Sequence, residues 1–203
     1  MVNRFLFKDR DGQTPLPPEL SQGLKKKNIQ TIGELDEYEE QNITSGLIWL
    51  KKQKKDCIDY AFWLQLHKKL FGNVWSWAGK IRTHELQNPD FLTVSELWTS
   101  IRSLEQDVSF WLENRTYSAK EIVARFHERL LTIHPFSNGN GRFSRIIVEF
   151  FCQQQGIPIP TWGAVLLSDH KKRRSTYIQA IVMARKQFLF GPLIAFIFDE
   201  EIT

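Results

Sequence analysis

The residues best suited to do chemistry lie together in His134-Pro-Phe-Ser-Asn-Gly-Asn-Gly-Arg-Phe-Ser-Arg145. Gly139 and Gly141 permit a tight backbone that a ligand can approach closely, and a helix starting near Gly141 would present unpaired N–H groups at its positive end. Together these make an anion cradle. Arg142 and Arg145, three residues apart at the start of that helix, are expected to point to one side and grip phosphate oxygens bidentately, which suits a polyphosphate better than a single carboxylate. His134 closes the preceding helix. An imidazole can take a hydroxyl proton near neutral pH, so His134 is the candidate general base. Phe136, apolar in a polar loop, is the expected anchor of the loop in the core. Asn138 can offer an amide oxygen to a metal, and Asn140 can hydrogen-bond a phosphate or brace the turn. Each residue alone is ordinary, and a lone histidine at a helix end is more often structural. The joint pattern carries the reading.

Two helices must present this loop. Ser118-Ala-Lys-Glu121 has the spacing of a capping box, and Ile122, Phe126, Leu130 and Ile133 continue it as an apolar stripe to His134. After the loop, Ile146, Ile147, Phe150 and Phe151 lead to Gly156 and Pro158, which end the second helix. Upstream, helical spacing runs from about Ile32 to Lys54, as one or two helices, and from Asp59 to Leu70; helices are also expected over 95–114, 168–186 and 192–198. Strands are expected only in a small hairpin after Trp75-Ser-Trp-Ala-Gly-Lys-Ile-Arg82, near Asn88-Pro89. The fold class is mainly α. Gly12, Pro15, Pro17 and Pro18 mark residues 1–30 as an extended arm ahead of a single domain over 31–203.

Composition supports an ordinary globular protein: 203 residues, 42% hydrophobic and 13% aromatic, with a net charge of +4 from 27 Lys plus Arg against 23 Asp plus Glu. That excess suits a polyphosphate without arguing for nucleic acid, so the runs Lys51–Lys55 and Lys171–Arg174 are read as solvated helix faces. Two cysteines, Cys57 and Cys152, lack metal-site or disulfide-scaffold spacing. With no signal-peptide core and no membrane-length apolar run, the expectation is a cytoplasmic protein without a membrane partner.

The central segment resembles the signature of Fic-domain proteins: His-Pro-Phe, any residue, Asp or Glu, Gly-Asn-Gly-Arg, two residues, Arg. It matches at every fixed position but Asn138. Leu66 to Arg82 is similar to the family's lead-in, and His127 to His134 to its motif-bearing helix. Arg174, Tyr177, Ala180, Pro192, Leu193 and Phe196 are similar to its closing helices. Thr14-Pro-Leu, Gly33-Glu-Leu, Glu39 and Asn42-Ile43 also resemble a bacterial subgroup called mobile mystery protein B.

The resemblance implies a helical bundle with a β-hairpin flap, and a protein adenylyltransferase. His134 would deprotonate a target hydroxyl that attacks the α-phosphate of ATP. Gly139, Asn140 and Gly141 would hold the α- and β-phosphates, and Arg142 and Arg145 the outer ones. The flap, near 83–94, would dock the target protein; an operon-encoded partner or antitoxin is a further expectation. The family's metal is Mg²⁺ or Mn²⁺, held by a carboxylate where this chain has the neutral Asn138. Autoinhibition would come from a helix whose glutamate faces the second arginine of the motif. Here that is Glu39 or Glu40, within about 32–45, facing Arg145, although Leu35 and Asp36 stand where the family has Ser or Thr. The alternatives are an ATP-binding regulatory protein without transferase activity and an enzyme moving another phosphate-containing group.

Overall fold

The computed structural model describes residues 22–26 and 28–200, so most of the expected N-terminal arm lies outside the described residues. Helix α1 (Ile32–Leu50) starts on Thr31, whose side chain accepts from Glu34 N while the Glu34 carboxylate returns to Thr31 N. This reciprocal cap satisfies donors that a helix start otherwise leaves bare. Glu39, Ile43, Gly46 and Leu50 form one buried stripe of α1, which packs along α2 (Tyr60–Phe71). Gly46 is required there, because a Cβ would lie 3.0 Å from the Lys69 carbonyl and 2.9 Å from Leu70. One helix, ended by Leu50, thus replaces the longer helical stretch expected to Lys54.

Four helices build the body around the motif. They are α3 (Leu97–Asn114), α4 (Ala119–Ile133), α5 (Asn140–Gln155) and α6 (His170–Gln187), closed by α7 (Gly191–Phe198). Helix α4 is central, packing against α3, α5, α6 and α7. Its stripe of Ile122, Val123, Phe126, Leu130 and Ile133 is buried, as are Phe143, Ile146, Ile147, Phe150 and Phe151 on α5. The Ser118 cap forms only half a box: Ser118 accepts from Glu121 N, but the Glu121 carboxylate turns forward to Arg125 at 2.8–2.9 Å. A charged partner one turn on outcompetes a neutral backbone N–H.

The expected flap carries no strand pairing. The bridges between described residues are isolated, Leu24 with Trp75 and Ile81 with Phe136, and neither joins the two limbs of the flap. No described helix is long and apolar enough to cross a membrane. Cys57 and Cys152 are free, buried thiols whose pKa values burial pushes upward, Cys152 to about 12. They pack as small hydrophobes.

His67 on α2 and His127 on α4 are fully buried, and desolvation pushes both down to about 3. Their ordinary value of 6.5 applies to the unfolded chain. Below pH 6.5 the unfolded chain therefore binds protons that the folded one refuses. Stability is fully present above that pH and is lost as pH falls toward 3, by up to about 1.4 kcal/mol per pH unit per histidine. Melts at pH 7, 5.5 and 4.5 should show a falling midpoint; an unchanged midpoint would contradict the burial of both neutral imidazoles.

Candidate active site

His134 sits just past the last turn of α4 in the left-handed region, with φ +48°. Its Nδ1 lies 3.2 Å from the Leu131 carbonyl, which can only accept, so Nδ1 carries the proton and Nε2 the lone pair. Burial lowers its pKa to about 4 against the opposing Leu131 hydrogen bond, and the charges of Arg82 and Arg185 push in the same direction as burial. The imidazole is neutral at pH 7. Phe91, from the segment after Arg82, stacks on the imidazole with ring centroids 3.8 Å apart.

The loop after His134 is held from beneath. Phe136 is fully buried and stacks on His67 at 3.6 Å. The His67 Nε2 donates to the Asn138 carbonyl at 3.1 Å, while its Nδ1 accepts from Gly79 N at 2.9 Å, which fixes the tautomer. Asn140 accepts from Phe136 N at 2.9 Å and donates to Phe136 O at 2.7 Å. Its side chain braces the turn, and its backbone N–H stands at the start of α5.

Gly139 starts α5 with φ +78°, and a Cβ there would meet Phe71 at 2.9 Å and His67 at 3.3 Å. A side chain is excluded on both counts. The first N–H groups of α5, at Asn140, Gly141 and Arg142, lie beyond the reach of the helix's own carbonyls, the arrangement an anion cradle requires.

The two arginines do not point together. Arg142 makes a two-pronged ion pair with Glu39 of α1, at 2.5 and 3.2 Å, and Glu39 also accepts from Trp75 Nε1 at 2.7 Å. The carboxylate expected on Arg145 is thus on Arg142, and Glu39 rather than Glu40 supplies it. Three residues along a helix turn the side chain by about 300°, so the two stems leave opposite flanks of one face. Arg145 is buried against Tyr177 of α6, whose hydroxyl it hydrogen-bonds, and its Nη1 would be 3.6 Å from a Cβ at Gly141. It therefore reaches back to the cradle from the other side. Tyr177 in turn bonds His127 Nε2 at 2.8 Å.

The exposed Asn138 turns its amide oxygen onto Gly139 N at 2.6 Å. Among the described residues no group of three or more His, Cys, Asp or Glu could hold a metal. One neutral oxygen, already accepting a backbone N–H, does not fit a dication site built by this chain alone.

Two residues of the site escaped the sequence reading. His67 carried no signal apart from its place in an amphipathic helix. Arg82 was legible only as the end of the aromatic lead-in, yet it is 2% exposed and ties the loop to the flap. The basic run 171–174 is not one solvated face either, because Arg173 is fully buried and donates to the Trp162 carbonyl at 2.9 Å.

Residues 57–152 match the model of the Fic/DOC family. It is 32% identical over 101 residues to protein adenylyltransferase fic-1 of Caenorhabditis briggsae, across 47% of this chain and 19% of that protein. It is 31% identical over 80 residues to uridine 5'-monophosphate transferase of Xanthomonas campestris, across 32% of this chain and 15% of that one. The chain thus spans about a fifth or less of these relatives. Its fold is that of BepC, a VirB-translocated effector of Bartonella tribocorum solved with bound AMPPNP, with TM-score 0.65 at 18% identity over 88% of this chain and 95% of that one.

Gly139→Ala should destabilise the fold by about 1–3 kcal/mol through the left-handed backbone and the clash with Phe71. Denaturant unfolding reads this directly, and a loss below about 0.5 kcal/mol would contradict the close approach of His67 and Phe71 to the loop.

Proposed function

We propose that this chain is a nucleotidyltransferase that moves AMP from ATP to a hydroxyl side chain of a protein. The observation that carries this reading is a neutral imidazole with its lone pair on Nε2, set a few residues from a glycine-started helix N-terminus. In this reading Nε2 of His134 takes the proton of the acceptor hydroxyl as its oxygen attacks the α-phosphorus. The bond from that phosphorus to the oxygen bridging to the β-phosphate breaks, and pyrophosphate leaves. The backbone N–H groups of Asn140, Gly141 and Arg142 meet the α- and β-phosphates, and Arg145 reaches the outer oxygens from its Tyr177 side. Charge developing in the transition state then meets donors already aligned to it. The relatives' names and the AMPPNP of BepC support this reading.

The acceptor hydroxyl belongs to a target protein docking along residues 83–94, and Glu39 restrains the enzyme through its ion pair with Arg142. A phosphate oxygen and the Glu39 carboxylate compete for the Arg142 guanidinium, so Arg142 joins the nucleotide only when α1 yields. Uridine 5'-monophosphate transferase among the relatives favours a second reading, in which a different nucleoside monophosphate is moved by the same steps.

Incubation with α-labelled and γ-labelled ATP, and with α-labelled UTP, in the presence of cell lysate separates these readings. Protein labelled only from the α position of ATP, and unlabelled with His134→Ala, is the expected result. Label from UTP alone moves the assignment to the second reading, and γ label indicates a kinase. No label from any of them points to a nucleotide-binding regulatory role.

Glu39→Gly should raise self-labelling with α-labelled ATP by about tenfold or more, the effect of a coupling of about 1.4 kcal/mol. An unchanged rate would remove Glu39 as a restraint.

A further inference from the structure

Arg82 is a buried charge with an unusual set of partners. Its side chain is fully buried, and its guanidinium donates in three directions to backbone carbonyls: Nε to His134 O at 2.8 Å, Nη1 to His84 O at 3.1 Å and Nη2 to Leu92 O. Its own N–H donates to Pro135 O at 2.9 Å, next to the bridge between Ile81 and Phe136. His84 and Leu92 lie on the two limbs of the flap, and His134 is the base. One planar group therefore fastens both limbs to the peptide that carries the imidazole. A second clasp lies beside it: the Glu85 carboxylate accepts from Val94 N at 3.0 and 3.2 Å and stands 3.7 Å from Arg82 Nη1.

This arrangement bears on the approach to His134. Leu131 occupies one edge of the ring through Nδ1, and Phe91 of the flap covers one face. A hydroxyl coming to Nε2 passes along the flap, and the flap's distance from the ring sets how close it comes. No strand ladder fixes that distance among the described residues; Leu92 N donates to Thr132 O at 3.1 Å and Asp90 pairs with α6, and the arginine fork is what ties both limbs to the His134 peptide itself.

We propose that Arg82 is a positioning residue for the acceptor hydroxyl: it joins the flap and the His134 peptide into one rigid unit and so sets the separation of the hydroxyl from the base. This rests on the transferase reading above. A guanidinium suits the role because its fork addresses several carbonyls in one plane, whereas an ammonium is a compact point charge. Arg82 touches none of the cradle's donors, so its loss should spare the nucleotide. Its charge acts on His134 as well. The charged groups around the imidazole are Arg82 from the flap stem and Arg185 from α6, the latter bonded to Glu128 of α4 at 2.9 Å and 3.8 Å from Asp90 of the flap, which also pairs with Lys186. Removing one cation raises the histidine's pKa, and replacing it by another cation does not.

The test uses the full chain carrying Glu39→Gly, compared with the same chain carrying R82K or R82Q in addition. ATP affinity is measured by calorimetry, and self-labelling with α-labelled ATP is followed across pH 4–8. Both variants should bind ATP within about twofold of the parent and label about ten- to a hundredfold more slowly, as expected when a reacting pair is misplaced by a fraction of an ångström to an ångström. The acid limb of the labelling rate should move to higher pH in R82Q and stay in place in R82K. Labelling by R82K at the parental rate would overturn the proposal. So would a loss of ATP affinity in step with labelling, which would make Arg82 support for the whole fold. Should neither variant fold, Glu85→Gln on the exposed second clasp should slow labelling severalfold at unchanged ATP affinity, and an unchanged rate there overturns the proposal equally. Absence of His134-dependent labelling in the parent defeats the transferase reading, and this proposal with it.

Discussion

The imidazole of His67, sealed from solvent on α2, joins two other pieces of chain, the turn at Gly79 and the loop 136–138. It donates to the Asn138 carbonyl, accepts from Gly79 N and lies flat on Phe136. Accepting from Gly79 needs the neutral ring, with its proton on Nε2 for Asn138, and burial holds the ring in that form. Had it been charged, Gly79 N–H would face a second donor and the loop would lose its floor. Because Phe71 and the ring together fill the space under Gly139, no residue larger than glycine fits there without strain. The direction of the helix N-terminus thus follows from a histidine 71 residues upstream of Asn138.

The site above that floor is built from charges taken out of water. Arg142 and Arg145 are held by different elements, one by a carboxylate of α1 and the other by a phenol of α6. These pairings differ in kind. An ion pair with buried Glu39 resists exchange, because both charges must be re-satisfied when it opens. Arg145 is instead buried with the Tyr177 hydroxyl as one of its hydrogen-bond partners. The two arginines are therefore anchored to different elements: Arg145 to the body through α6, and Arg142 to α1, whose contact with the body it helps to make.

Much of this was legible in the sequence, and the misses have common causes. Apolar periodicity located α1 to α7 within a few residues because each helix buries one continuous stripe, as Ile122, Phe126, Leu130 and Ile133 do on α4. The loop was legible because glycine, histidine and arginine carry chemistry by residue type. Side-chain partners were not. Nothing in the spacing of Arg142 and Arg145 tells which meets Glu39, since the answer depends on how α1 lies along α2. The same holds for Glu121, which chooses Arg125 over the Ser118 backbone. His67 and Arg82 bond almost wholly to backbone atoms, and a carbonyl leaves no mark in a sequence. The hairpin expected at 83–94 failed for a related reason: turn residues such as Asn88-Pro89 report that the chain reverses, not what holds its limbs together.

Closing a flap by a side chain has a different consequence from closing it by a ladder. A ladder requires pairing in register and restricts which side chains stand on each face. Arg82 and Glu85 instead grip main-chain carbonyls and an N–H, groups that every residue supplies. The flap's outline is therefore insensitive to most of its own sequence, and Thr83, His84, Gln87 and Pro89 are exposed along it. Two of its side chains are committed inward, Phe91 to the base and Asp90 to Arg185 and Lys186. Geometry is thus assigned to a few buried groups, while the outward residues are left to vary with whatever surface the flap must meet. A buried arginine with carbonyl partners is expensive to desolvate. Its use here is understandable if the position of the flap relative to His134 matters more than the strength of the flap itself.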